Sequence, residues 1–251
     1  MKYFSRIELD ENHPDVQEAV AQSFARDAYG DHQFLWQFFP APKGHPRDFL
    51  FRRFEPQGDR RQALFYCVSS RPAVSPHPAW KVATREYAPR VERGDRLLFD
   101  LRVNPTQAHK REGKSRRDDV VMHAKKRLLA EHGLARWGDL PPGERPSLYE
   151  LSDQAVRKWL GEAGRDGICA RHGFSVMDDL RVDAYRQHRI ARTGQKPILL
   201  STVDLSGTIT VIDPERFTRA LLFGIGRGKA FGCGLLLVRR ARGAAYSRSG
   251  Q

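Results

Sequence analysis

Hydrophobic and polar residues alternate with a period of two at the start of the chain, where Tyr3, Ser5, Ile7 and Leu9 interleave with Lys2, Phe4, Arg6 and Glu8. This predicts a strand over Lys2 to Asp10. After Pro14 the period lengthens. Val16, Ala19, Val20 and Phe24 recur at helical spacing, and a second helical pattern runs from Tyr29 through His32, Leu35, Trp36 and Phe39 until Pro40 stops it. Two short apolar runs, Arg47 to Arg52 and Ala63 to Val68, read as strands and give the order β-α-β-β. Pro72, Pro76, Pro78, Pro89 and Gly94 punctuate the next stretch around one short strand, Lys81 to Tyr87, and place a domain boundary near residues 88–95.

The second unit repeats the alternation of periods. Leu97 to Val103 reads as a strand that Asn104-Pro105 ends, a basic loop follows, and Val120 to His132 has helical composition. Ser147-Leu148-Tyr149-Glu150 is a capping box that opens a helix through Leu151, Ala155, Trp159 and Leu160. Ile168 to Val176, Leu180 to Ile190 and Ile198 to Ile212 read as strands, the last with a turn or bulge at Ser206-Gly207. Asp213-Pro214 then starts a helix, and Leu235 to Arg239 is the terminal strand. The order β-α-β-β-α-β is the split βαβ of a ferredoxin-like fold. The expected division is 1–92 and 93–240, with 241–251 a small polar tail expected to be disordered.

Between the last helix and the last strand lies Phe223-Gly224-Ile225-Gly226-Arg227-Gly228-Lys229-Ala230-Phe231-Gly232-Cys233-Gly234. Glycines without a Cβ beside Arg227 and Lys229 suit an anion cradle, although neither a dinucleotide fingerprint nor a Walker loop fits the spacing. The alternative is a helix C-cap and a tight turn into the strand. Charge strengthens the first reading. The 251 residues hold 43 Lys plus Arg against 30 Asp plus Glu, a net +13 that clusters in His109 to Arg117, in Lys125-Lys126-Arg127 and in this loop, and so favours a polyanionic partner, nucleic acid first. The cations at Lys114, Arg116 and Arg117 are equally compatible with a solvated basic loop.

Three distant cysteines, Cys67, Cys169 and Cys233, form neither a disulfide framework nor a zinc knuckle, and point to a reducing compartment. No apolar segment has the character of a signal sequence or a membrane span, so a cytoplasmic protein with no membrane contact is expected. The nine histidines lack metal-ligand spacing, so no metal and no cofactor is expected. RNA permits a metal-free cleavage, because its own 2′-hydroxyl attacks the neighbouring phosphate when a base removes its proton and an acid protonates the departing 5′-oxygen. His32 is the candidate, with Tyr29 one helical turn away as a second proton-transfer group or as a hydrogen bond that orients the hydroxyl. His32 is also one turn from Leu35, Trp36 and Phe39, where it would be a satisfied core histidine.

Taken together, Tyr29-x-x-His32-x-x-Leu35-Trp36-x-x-Phe39-Pro40, Arg47-Asp48-Phe49-Leu50-Phe51, Phe99-x-Leu101-Arg102-Val103-Asn104-Pro105 and the glycine stretch through Leu236 resemble the CasE-type CRISPR repeat endoribonucleases. The resemblance runs in family order from residue 1 to about 240. It implies an α+β chain of two tandem ferredoxin-like, RRM-related domains, metal-independent cleavage of precursor crRNA at the CRISPR repeat hairpin, and retention of the mature crRNA beside the other Cascade subunits. By position, His32 matches the family's catalytic histidine and Tyr29 its active-site tyrosine. Gly224, Gly226, Gly228, Gly232 and Gly234 match its glycine-rich loop. Lys114, Arg116, Arg117, Arg192 and Lys196 fall where the family has RNA-contacting cations, and Arg227 and Lys229 add charge within the loop. A non-catalytic RRM-like RNA-binding subunit is the alternative function.

Overall fold

The structure, a computed structural model, describes residues 1–23, 28–54, 64–111, 114–161, 167–192 and 195–241. Its first sheet is built from β1 (Tyr3–Leu9), β2 (Phe49–Phe54), β3 (Leu64–Ser69) and β4 (Trp80–Glu86), in the order β2-β3-β1-β4 with antiparallel neighbours. In β1 the alternation buries Ser5, Ile7 and Leu9 and leaves Arg6 exposed. Helices α1 (Val16–Ser23) and α2 (Ala28–Leu35), with a 3-10 turn over Trp36–Phe38, cover the buried face. Phe34, Phe38 and Trp80 meet there with ring centroids 5.2–5.6 Å apart. Each such ring contributes about 1.5–3 kcal/mol on burial, so the helices are held mainly by their apolar side.

The second sheet contains β5 (Arg96–Val103), β8 (Phe174–Val176), β9 (Arg181–Arg192), β10 (Gln195–Val211) and β11 (Leu236–Arg240). Its order is β11-β5-β10-β8, and β9 also pairs with β10. Between β5 and β8 run a separate hairpin of β6 (Thr106–Arg111) and β7 (Lys114–Asp119) and the helices α3 (Val120–Glu131), α4 (Leu148–Leu160) and α5 (Ile168–Arg171). Helix α6 (Pro214–Phe223) connects β10 to β11. Leu97, Phe99, Leu101 and Val103 pack against Leu151, Val156, Leu160, Phe217 and Leu221.

The first sheet sets β1 between β3 and β4, and the second sets β5 between β10 and β11 with β9 an extra strand on β10, so the ferredoxin-like order occurs twice in tandem. The first unit joins β3 to β4 without a helix, as Pro72, Pro76 and Pro78 require. The expected capping box is present: Ser147 Oγ accepts from the Glu150 N–H at 3.1 Å and the Glu150 carboxylate from the Ser147 N–H at 2.7 Å.

Three expectations differ from the structure. The basic segment expected as a loop is the β6–β7 hairpin, in which Ala108 is the one apolar side chain of the two strands, so no apolar period betrays it. Ile168 to Val176 is a short helix followed by β8 rather than one strand, since Ile168 and Cys169 bury against the core from a helical turn. At Gly207 the strand β10 continues without a turn, opposite Phe99, while its two irregularities opposite β9 fall between Gln195 and Ile198 and between Thr202 and Asp204.

The two sheets meet through Leu50, Val68 and Leu235, with Phe4, Tyr66, Tyr87 and Leu237 around them. Beside this patch Arg52 reaches from β2 to Asp100 Oδ1 (3.3 Å) and Asp204 Oδ1 (3.1 Å), and Arg102 binds Asp204 through two bonds of 2.7 Å. Burial would raise the Asp204 pKa, but the two guanidinium groups bring it below its ordinary value. Asp100, more weakly paired and close to Asp204, is raised, chiefly by burial.

Candidate functional site

The site forms where the glycine-rich stretch of the second unit folds back onto α2 and the edge strand β2 of the first. Gly224 ends α6, its N–H donating to the Ala220 carbonyl at 2.8 Å, and Ile225 is fully buried beneath the loop. The Ile225 N–H donates to the Gly234 carbonyl (2.8 Å), and the Gly234 N–H to the Arg102 carbonyl of β5 (2.7 Å). A side chain at Gly234 would have its Cβ 2.6 Å from the Ile225 oxygen, on a backbone with φ +90, so glycine is required for this closure. Gly226 and Gly228 lead into a 3-10 turn over Lys229–Phe231. At Gly232 an added Cβ would stand 3.2 Å from the Phe51 ring, which seats the loop against β2.

The helix-cap and turn reading of the stretch describes its backbone. The stretch also delivers cations to another part of the molecule. The N–H groups of Ile225, Phe231, Cys233 and Gly234 are engaged within the loop or with β5. Positive side chains therefore dominate what the loop presents. Arg227 is exposed and Lys229 half-buried, with Lys229 Nζ donating to the Phe223 carbonyl at 2.6 Å.

The turn Lys229–Phe231 packs directly on α2. That helix is oriented by its neighbour to His32, the buried Asp31, whose carboxylate takes Arg53 Nη1 of β2 at 2.7 Å. His32 is half-buried at the rim of the aromatic core, its ring centroid 5.8 Å from Phe49 and 6.1 Å from Trp36. It is thus neither wholly in the core nor free of it. Burial, and then the charge of Arg47, lower its pKa below the ordinary 6.5, so the neutral imidazole prevails at pH 7.

Arg47 received no role in the site from sequence reasoning, although it opens the apolar run Arg47 to Arg52 and one of the motifs of the resemblance. Its charge acts on His32 from one element and on Lys229 from another, and Lys229 is lowered by burial and then by Arg47. The segment carrying it is anchored by its neighbour. Asp48 receives Arg71 Nε at 2.8 Å and Nη2 at 3.2 Å, and the same guanidinium donates to the carbonyls of Phe39 (3.1 Å) and Pro40. His172, at the end of α5, is a second unpredicted neighbour, lowered by burial, then by Arg171 and Lys229.

Tyr29 lies on α2 one turn before His32, but its side chain is outside the described residues, as are those of Lys114, Arg116 and Arg192. Arg117 is exposed on β7. It lines, with Arg227, Arg127, Lys158 and Arg171, a cavity of about 1470 Å³ between the hairpin, α3, α4 and the glycine loop. Lys196 is exposed at the start of β10, next to Gln195, which pairs with Arg192 of β9. The structure therefore gathers His32 with Lys229, and Arg117 with Arg227, and leaves Lys196 apart. Among the described residues no three His, Cys, Asp or Glu side chains group as metal ligands, and no helix is long and apolar enough to cross a membrane.

Comparison with known proteins places this geometry. A model of the family described as CRISPR associated protein matches residues 2–240. The CRISPR system Cascade subunit CasE of Escherichia coli (strain K12) is 27% identical over 221 residues, covering 86% of this chain and 94% of the relative. The CRISPR-associated endoribonuclease Cse3 of Thermus thermophilus is 26% identical over 247 residues, covering 91% and 88%. Among solved structures, Thermus thermophilus Cse3 bound to an RNA representing a pre-cleavage complex superimposes with a TM-score of 0.60 at 19% identity, over 95% of this chain and 98% of that one. The Cas6e protein of Escherichia coli str. K-12 gives 0.56 at 22% identity, over 95% and 100%.

Proposed function

The chain belongs to the CRISPR associated protein family, and from that premise we propose that it is an endoribonuclease that binds the CRISPR repeat hairpin, cleaves precursor crRNA and keeps the product as a Cascade subunit. The observation that carries the reading is His32: a half-buried histidine, kept neutral by burial and by Arg47, at the contact between α2 and a cationic loop from the other sheet. A neutral imidazole can take the proton of a 2′-hydroxyl as that oxygen attacks the adjacent phosphorus. Tyr29, one turn earlier on α2, is the second proton-transfer group, a phenol that holds its proton at neutral pH and can give it to the departing 5′-oxygen. The upstream fragment then ends in a 2′,3′-cyclic phosphate and the downstream one in a 5′-hydroxyl. Because the nucleophile is internal to the RNA, no metal ion or cofactor has a step to perform.

The residues divide naturally into 1–92, which carries Tyr29 and His32, and 93–240, which carries the β6–β7 hairpin and the glycine loop. The tail from 241 onward falls, after 241, outside the described residues. Lys114, Arg116, Arg117, Arg192, Lys196, Arg227 and Lys229 contact the RNA backbone in this reading. The exposed hairpin and the basic cavity support that assignment for Arg117 and Arg227. The compartment is the cytoplasm, in keeping with three free, buried cysteines.

Purified protein incubated with the host's repeat RNA in a chelating buffer should cut once at the hairpin. A repeat with a 2′-deoxy nucleotide at the cut should be bound and left whole. Cleavage of the deoxy substrate, or activity that requires added magnesium, would refute the mechanism. Tight binding with no cleavage of the unmodified repeat would favour the RNA-binding subunit.

A further inference from the structure

The surroundings of His32 hold more positive charge than the neighbouring carboxylates neutralise. Phe49 and Phe51 of β2 belong to the core beneath α2, Phe49 is the ring against which His32 lies, and Arg47, two residues before β2 begins, is near enough for its charge to act on His32. Lys229 reaches the same place from the other sheet. Burial lowers the pKa of both cations, Arg47 lowers that of Lys229 further, and no carboxylate acts on either among the described residues. The nearest acids are committed elsewhere, Asp31 to Arg53 at 2.7 Å and Asp48 to Arg71 at 2.8 Å. Arg47 Nη1 is moreover buried without a hydrogen-bond partner among the described residues. Its backbone position is set, since the adjacent Asp48 carbonyl accepts from the Ser70 N–H at 3.1 Å.

Two half-buried like charges that act on each other, one with an unsatisfied buried N–H, cost stability unless an anion completes the arrangement. The anion must also lie beside the imidazole of His32. Resting on the reading of this site as a repeat-RNA endonuclease, we infer that Arg47 is a substrate-binding residue that donates to a non-bridging oxygen of the phosphate at the cut, with Lys229 as the second cation beside it. The planar fork of a guanidinium suits two oxygens of one phosphate. Charge on those oxygens rises as the 2′-oxygen adds to phosphorus, so Arg47 favours the transition state over the bound substrate. The same cation keeps His32 unprotonated and ready to accept the proton, which joins the two roles in one side chain.

The test compares wild-type protein with Arg47→Met and Arg47→Lys by three readouts: single-turnover cleavage of the host repeat, affinity for the 2′-deoxy repeat, and the effect of single Rp or Sp phosphorothioates at the cut. Arg47→Met should slow cleavage by about 100- to 1,000-fold, the usual loss of one oxyanion donor. Affinity for the deoxy repeat should fall by less than about tenfold, and Arg47→Lys should recover part of the rate. One phosphorothioate diastereomer should slow the wild type and no longer slow Arg47→Met. A merely structural role would leave that stereospecific effect undiminished. The inference is overturned if the effect persists in Arg47→Met, if both variants cut within about threefold of wild type, or if their rates fall only as the folded fraction falls. Should Arg47→Met not fold, Arg47→Lys decides by the same phosphorothioate comparison. A wild-type protein that binds the repeat and never cuts it would instead refute the endonuclease reading, and this inference with it.

Discussion

Replacing Arg52 by Met should loosen the junction of the two sheets, by an amount the structure allows to be worked out. The Arg52 side chain is 6% exposed and contacts two carboxylates, that of Asp100 with 36% exposure and that of Asp204 with 24%. Removing one member of a buried ion pair generally costs about 3–5 kcal/mol, because the remaining charge is stranded. Here Asp204 keeps both bonds to Arg102, and Asp100 is partly hydrated, so the lower end of that range, about 3 kcal/mol, applies. For a chain of this size that is a fall in Tm of about 6–12 °C. Asp100→Asn in the Arg52→Met background should return part of the loss, since the stranded charge is then gone. Arg6→Ala, which breaks the exposed pair of Arg6 with Glu8, is the control and should cost under about 1 kcal/mol. The assay is thermal and urea unfolding of the four proteins at pH 7. An Arg52→Met protein no less stable than Arg6→Ala, or a double variant that loses the sum of both changes, would show that Arg52 is a surface ornament rather than a tie between sheets.

His32→Ala should lower cleavage by about 100- to 10,000-fold with repeat affinity and melting nearly unchanged, whereas an active but fragile variant would return His32 to the core. The rising limb of the pH–rate profile should have its midpoint below 6.5, since burial and then Arg47 lower the His32 pKa, and a midpoint above 6.5 would contradict the assignment. The unfolded chain takes up this proton before the folded one does, so His32 should also make the protein less stable as the pH is lowered through and below 6.5. Arg117→Ala, Arg227→Ala and Lys229→Ala should each reduce the slope of log affinity against log salt by about 0.7 to 0.9, and an unchanged slope would remove that residue from the RNA contact.

Elements with a strong local signature were legible in the sequence. The alternation of β1, the Ser147 and Glu150 capping box and the Asp213-Pro214 start of α6 each depend on neighbours within a few residues, and each stands in the structure. The hairpin of β6 and β7 was hidden because its strands carry one apolar residue, Ala108, and so show no apolar period. The short helix α5 was hidden because a run as brief as Ile168-Cys169-Ala170 suits helix and strand equally. In the candidate site, the spacing of His32 from Tyr29 drew attention to it in the sequence. Arg47 drew none, for its meaning comes from Lys229, which only the packing of the two sheets brings near. The same is true of Arg52, whose partners Asp100 and Asp204 belong to the other unit.

The backward fold of the glycine loop onto α2 also imposes an order on the birth of the activity. Translation delivers α2 and its histidine early, and delivers the Lys229–Phe231 turn only after every helix of the second unit has been made. Until then the growing chain carries His32 without the neighbouring cation, and Leu50 and Val68 wait uncovered for Leu235. The step that brings the turn into place is the one that seats β11, because the Gly234 N–H closes on the Arg102 carbonyl just before the strand pairs with β5. A nascent chain still on the ribosome therefore holds the histidine of the proposed site before the loop that would complete it.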